Sequence, residues 1–127
     1  MPQPILSAEL AASDPNQLFS ATGESLVIRE WRGSGPAKLH VHYSDDEAWH
    51  VLEGTLRFRF ADRVVEAGRS TTVFVPAGVA HTYEAVQARY LVFLTPRLAA
   101  LISELQQASD AATHADIYRN HRSELLE

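Results

Sequence analysis

His40 and His42 stand two residues apart, Glu47 follows five residues after His42, and His81 lies farther along the chain. Residues two apart on a strand point to the same face, with Cα atoms about 6.5–7 Å apart, so the two imidazoles can converge on one ion. The offset to Glu47 is odd, and an unbroken strand would send its carboxylate to the opposite face. The polar run Tyr43-Ser44-Asp45-Asp46 provides a turn that resets the direction. Pro76-Ala77-Gly78 makes a tight bend ahead of a further strand, which places His81 to supply a ligand from another part of the sheet. Three imidazoles and one carboxylate form a donor set of intermediate softness, suited to Fe(II), Mn(II), Ni(II), Zn(II) or Cu(II).

The elements that must carry these residues read as strands. Residues 26–31 run apolar and β-branched up to Gly33-Ser34-Gly35-Pro36, which predicts a strand and then a loop, and the next strand carries Leu39-His40-Val41-His42. Residues 48–52 form a strand halted at Gly54, and residues 55–60 alternate apolar and polar, predicting a hairpin with 64–66. Residues 71–75, 81–83 and 90–94 complete the set, and many short strands at close spacing point to an all-β sandwich or barrel. At Thr95-Pro96 the period changes. Thr can cap a helix whose first position takes Pro, and Leu98, Leu101, Ile102 and Leu105 fall at helical spacing. A second helix is predicted over 115–126, burying Ile117, Tyr118 and Leu125. Residues 1–25 give only turn signals, at Ser13-Asp14-Pro15-Asn16 and Thr22-Gly23.

The 127 residues, with 46% hydrophobic and 21% charged side chains, suit one folded domain over 1–127, with a barrel core at about 25–95 and a helical tail at about 96–127. A net charge of -5, with Lys38 the only lysine, argues against nucleic acid as a partner, since binding phosphates requires clustered cations. No apolar run approaches the roughly 18 residues of a membrane span, and Met1-Pro2-Gln3-Pro4 lacks the basic start of a signal peptide. A cytoplasmic location without membrane partners is the expectation. The absence of cysteine excludes disulfides, thiolate ligands and thiol nucleophiles.

The order His40-x-His42-x4-Glu47-x6-Gly54, followed by Pro76-x-Gly78-x-x-His81, resembles the two motifs of the cupin superfamily over about residues 35–85. The chain departs from the family pattern at Gly35, one residue closer to the first His than usual, at Gly68, two residues farther from Pro76, and at Ala85, where Asn is common. The resemblance implies a double-stranded β-helix, a jelly-roll-like barrel, here followed by a C-terminal helical segment. It also implies a homodimer, a single divalent ion on His40, His42, Glu47 and His81, and an open mouth for a small-molecule ligand.

Around that site, strand alternation turns Trp49 and Val51 inward along with Glu47, and turns His50 outward. Trp49 is then a pocket wall or plain core. Tyr83 shares the face of His81, as a hydrogen-bond donor to substrate or as an aromatic filling the barrel. Asp45 and Asp46 read as turn formers, Trp31 and the helical leucines as core, Arg57 and Arg59 as a solvated face, and His114 and His121 as lying outside the site. The resemblance favours a metal-dependent dioxygenase acting on a small organic substrate, with Glu47 the candidate catalytic residue, either as a ligand or, detached, as a base. The alternatives are a non-redox isomerase or lyase, and a sugar or metabolite binding module that turns nothing over.

Overall fold

The computed structural model describes residues 3–14 and 16–127, so Met1, Pro2 and Pro15, the last within the first turn signal, lie outside the described residues. In chain order the elements are α1 (Ser7–Ser13), β1 (Ser20–Thr22), β2 (Val27–His42), β3 (Glu47–Arg59), β4 (Val64–Ala67), β5 (Thr72–Val75), β6 (His81–Leu94), α2 (Pro96–Gln107), α3 (Ala111–Asn120) and β7 (Ser123–Leu125). All pairings are antiparallel. The order is β1-β2-β6-β3-β4, with β5 also on β3 and β7 also on β2.

Three long strands replace three pairs of shorter ones predicted from sequence. β2 runs through Gly33 and Gly35, which are register shifts against β6 instead of a loop. β3 runs through Gly54, and β6 joins the segments predicted at 81–83 and 90–94. The glycine and turn signals mark bulges, where a strand gains a residue, bends and changes face without ending. The burial pattern records the change. In β3 Glu47, Trp49 and Val51 point inward, but beyond Gly54 the buried residues are Leu56 and Phe58, so the parity flips. Gly54 has φ +75°, and a Cβ there would meet the Gln87 carbonyl oxygen at 2.3 Å. Gln87 itself has φ 45°, and β6 flips parity at the same level, from Ala85 to Ala88 and Tyr90. Facing bulges let both strands bend together and close the sheet around one core of Val27, Trp49, Leu56, Phe58, Val92 and Leu94.

The C-terminal segment also differs from its prediction. α2 begins as expected, with the Leu98 N–H donating to the Thr95 hydroxyl at 3.2 Å and Pro96 in the first turn. The second helix starts earlier than predicted because the Asp110 carboxylate caps it by accepting from the Thr113 N–H. It stops at Asn120. Arg122 takes a left-handed φ of 54°, and the chain re-enters the sheet as β7, pairing His40 with Leu125 and His42 with Ser123. Leu101, Ile117 and Tyr118 form a second core between the helices, and Ile102 touches both cores.

Candidate metal centre

His40 and His42 come from the end of β2, Glu47 from the start of β3, and His81 from the start of β6. Two ties hold the connecting loops in place. The Gly78 N–H donates to the His42 carbonyl at 2.7 Å, and the Ala77 N–H donates to the Asp46 carboxylate at 2.9 Å. The bend before His81 is thereby fastened to the turn before Glu47. Asp45, on the other side of that turn, is buried and accepts from the Thr95 hydroxyl at 3.0 Å and from Arg97 at 3.1 Å. The turn is therefore also anchored to the cap of α2, a connection that reading the Asp pair as turn formers does not contain.

The four side chains meet. One donor atom from each of His40, His42, Glu47 and His81 lies within 4.8 Å of the others, and all four residues are buried, His81 at 0% and Glu47 at 7% exposure. Glu47 Oε1 is 3.2 Å from His42 Nε2 and 3.5 Å from His81 Nε2. Even so, Glu47 Oε1 and His81 Nε2 have no hydrogen-bond partner of acceptable geometry. Buried polar atoms without partners are costly, and here they converge. The spread is close to twice a metal–nitrogen bond of about 2.0–2.2 Å. The donor types, their convergence and the orphaned atoms all fit a divalent ion, and the cluster suggests metal binding.

The electrostatics agree with that fit. His40 is lowered to about 4, by burial first and then by the neighbouring His81, so it is a neutral imidazole near pH 7 with a lone pair to offer. Burial alone would raise Glu47, but the His42 and His81 side chains against it outweigh burial and hold it at about 2, an anion. Each Nδ1 atom has a partner on the side away from the centre: Lys38 O for His40, the Ser123 hydroxyl for His42 and Val79 O for His81. The Nε2 atoms are left for the interior.

Beside the cluster is a cavity of about 180 Å³. Trp31, Ala37, Tyr83 and Val92 line it from the sheet, Leu98, Leu101, Ile102 and Leu105 from α2, and Tyr118 from α3, with His40, His42 and Glu47 completing the wall. Among these residues there is no Lys or Arg. Trp31 and the leucines read as core in the sequence, but here they also face a space. Trp49 does not line the cavity: its ring is enclosed by Phe58, His81 and Tyr83 at centroid distances of 4.9, 5.5 and 5.6 Å. Tyr83 does line it, with its hydroxyl 3.4 Å from that of Tyr90 and its ionisation pushed well up, chiefly by burial. Tyr118 is held at about 12, by burial first and then by Glu47.

The remaining candidates sit elsewhere. His50 faces away and contacts the Thr72 hydroxyl at 2.7 Å, and Arg57 pairs with Glu66 on the surface. His114 contacts Ala108 O, and His121 pairs with Glu104 at 2.8 Å. The sequence reading missed Ser123 and the cavity-facing role of Tyr118. A hydrophobic pattern announces that Tyr118 is buried but not what it faces, and a lone serine gives no signal.

Residues 22–95 match the family model described as the cupin domain, and the chain belongs to that family. Its fold is the cupin jelly-roll barrel with added C-terminal helices. A cupin-2 domain containing protein from Shewanella frigidimarina is similar over 71% of this chain and 92% of its own, with a TM-score of 0.58 and 22% identity. KdgF from a Halomonas species is similar over 60% and 74%, with a TM-score of 0.53 and 14% identity. The polyketide cyclase RemF from Streptomyces resistomycificus is similar over 57% and 56%, with a TM-score of 0.50 and 25% identity. No curated protein matches the chain at a significant level. Among the described residues, no helix is long and apolar enough to cross a membrane.

Proposed function

We propose that this cupin is a metal-dependent enzyme of dioxygenase type acting on a small, largely apolar organic substrate. The observation that carries the reading is the juxtaposition of a buried donor cluster having unpartnered atoms with an apolar cavity of about 180 Å³. Size comes first. An engineered apolar cavity of about 150 Å³ takes up benzene, so this space suits a single ring with a substituent. A sugar would set several hydroxyls against Leu98, Leu101, Ile102 and Leu105 with nothing to bond, at a cost per hydroxyl that outweighs its contacts. A phosphorylated substrate would find no Lys or Arg in the lining to pair with its charge.

The chemistry follows from the same inventory. Bound on His40, His42, Glu47 and His81, a redox-active divalent ion would supply a site where dioxygen and an oxygen of the substrate are activated together. The protein's own part is to hold, orient and exclude. The α2 leucines keep water from the ring, Trp31 and Tyr118 offer aromatic faces, and the Tyr83 hydroxyl is a donor for a substrate oxygen. Both tyrosines stay protonated near neutral pH, so each hydroxyl is available to donate to a substrate oxygen.

One observation favours a second reading, a non-redox isomerase or lyase. Glu47 is an anion in position to take a proton from a bound carbon acid, and the chain is similar to a polyketide cyclase. Oxygen consumption separates the two. Fe(II)-loaded protein given single-ring phenols and catechols is expected to consume one O₂ per substrate, with both atoms entering the product. Turnover under argon at the aerobic rate would instead establish the second reading.

A further inference from the structure

The three imidazoles are held in two different ways. His40 Nδ1 and His81 Nδ1 face backbone carbonyls two residues earlier in their own segments, Lys38 O at 2.6 Å and Val79 O at 3.0 Å, acceptors that no side-chain substitution removes. His42 Nδ1 instead faces a side chain, the Ser123 hydroxyl, at 2.7 Å and fully buried. That hydroxyl is 3.0 Å from the His121 carbonyl, to which it donates. Its own hydrogen is thereby committed, and its oxygen is left to accept the Nδ1 proton of His42.

We propose that Ser123 is a positioning residue for His42: by accepting from Nδ1 it sets the imidazole's tautomer and angle, so that Nε2 is presented to the metal. The proposal rests on the metal-binding reading above. It makes a segment beyond the cupin match, which ends at residue 95, a working part of the centre. The backbone is arranged for this contact. Ser123 and His42 are cross-strand partners in the β2–β7 ladder, and the Tyr43 N–H donates to the Arg122 carbonyl at 2.9 Å. The left-handed Arg122 turns the chain from α3 directly into that register. Tyr118, on the preceding helix, lies nearly parallel to the His42 ring at 6.4 Å. Outer partners of a metal-ligating histidine commonly govern affinity, with losses of about 10–100-fold when they are removed.

The test uses Zn²⁺ as the probe, with affinity read by chelator competition on the full chain. Ser123→Ala is expected to weaken binding about 10–100-fold, Ser123→Thr to restore most of it through the retained hydroxyl, and Glu124→Ala, an exposed neighbour on the same strand, to leave it unchanged. In the Zn²⁺-loaded wild type the His42 Nδ1 proton should give a slowly exchanging imidazole resonance that Ser123→Ala loses. Equal Zn²⁺ affinity in wild type and Ser123→Ala would overturn the proposal. A rapidly exchanging His42 Nδ1 proton in the wild type would overturn it as well, independently of how the variants fold. Failure of the wild type itself to bind Zn²⁺ would overturn the metal reading and this one together, whereas tight wild-type binding with no effect of Ser123→Ala removes this one alone.

Discussion

His40 and His81 are direct cross-strand partners in the β2–β6 ladder, and their rings lie 4.4 Å apart between centroids. Two imidazoles far apart in sequence are thus brought together by sheet register. Because β6 also pairs with β3, the same register carries the strand that begins at Glu47. The centre is accordingly only as well made as the bends that keep β2, β3 and β6 in step.

Gly54 is the bend most exposed to test. Its φ of +75°, and the 2.3 Å that would separate an added Cβ from the Gln87 oxygen, leave no room for a side chain. Gly54→Ala is expected to destabilise the protein by at least about 1–3 kcal/mol, read by urea unfolding. A loss below about 0.5 kcal/mol would mean that the facing bulges do not lock the register.

The tie between Asp45 and Arg97 makes an asymmetric prediction. Asp45 is buried while Arg97 is one-third exposed, so removing the arginine strands a buried carboxylate, whereas removing the charge does not. Arg97→Ala should therefore cost more stability than Asp45→Asn, about 1–2 kcal/mol against less than that, since the exposed partner is screened by solvent. Chemical denaturation of both variants checks the order.

Acid should weaken the metal-free protein. His40 titrates at about 4 in the fold against 6.5 for the free group, and Glu47 at about 2 against 4.5. In both cases the unfolded chain binds the proton first, so stability rises with pH across each window. Stability is therefore fully present above about 6.5 and declines as pH falls, through His40 down to about 4 and then through Glu47 down to about 2. Melting temperatures measured in chelator from pH 7.5 to pH 3 should fall steadily, and a flat profile down to pH 4.5 would contradict the burial of a neutral His40.

The cavity can be closed without touching a donor atom. Ile102→Trp places a large ring in the space bounded by Leu98 and Tyr118, so phenol binding to the metal-free protein, followed by calorimetry, should be lost while metal content is unchanged. Undiminished phenol binding would place the ligand elsewhere.

Much of the site was legible because strand chemistry is local. The two-residue spacing of His40 and His42, the turn before Glu47 and the bend before His81 each dictate a direction over a few residues. The long strands were not legible in this way. Gly33, Gly35 and Gly54 mean a turn or a bulge with equal force, and only the pairing strand decides which. The tail was harder still. Residues 123–125 continue a helical pattern, and their capture by β2 depends on the free edge at His40 and His42, a long-range match that no local propensity encodes. Trp49 shows the converse: its inward direction followed from alternation, while whether it meets a cavity or only neighbouring rings depends on how three strands bend.

The central claim is that three imidazoles and one carboxylate gather on one ion. Its most direct test is elemental analysis of untagged protein purified without chelators, comparing wild type with His42→Ala and His81→Ala. Close to one divalent ion per chain in the wild type is expected, falling sharply in each variant while circular dichroism stays that of a folded sheet protein. Equal metal content in all three proteins would contradict the account.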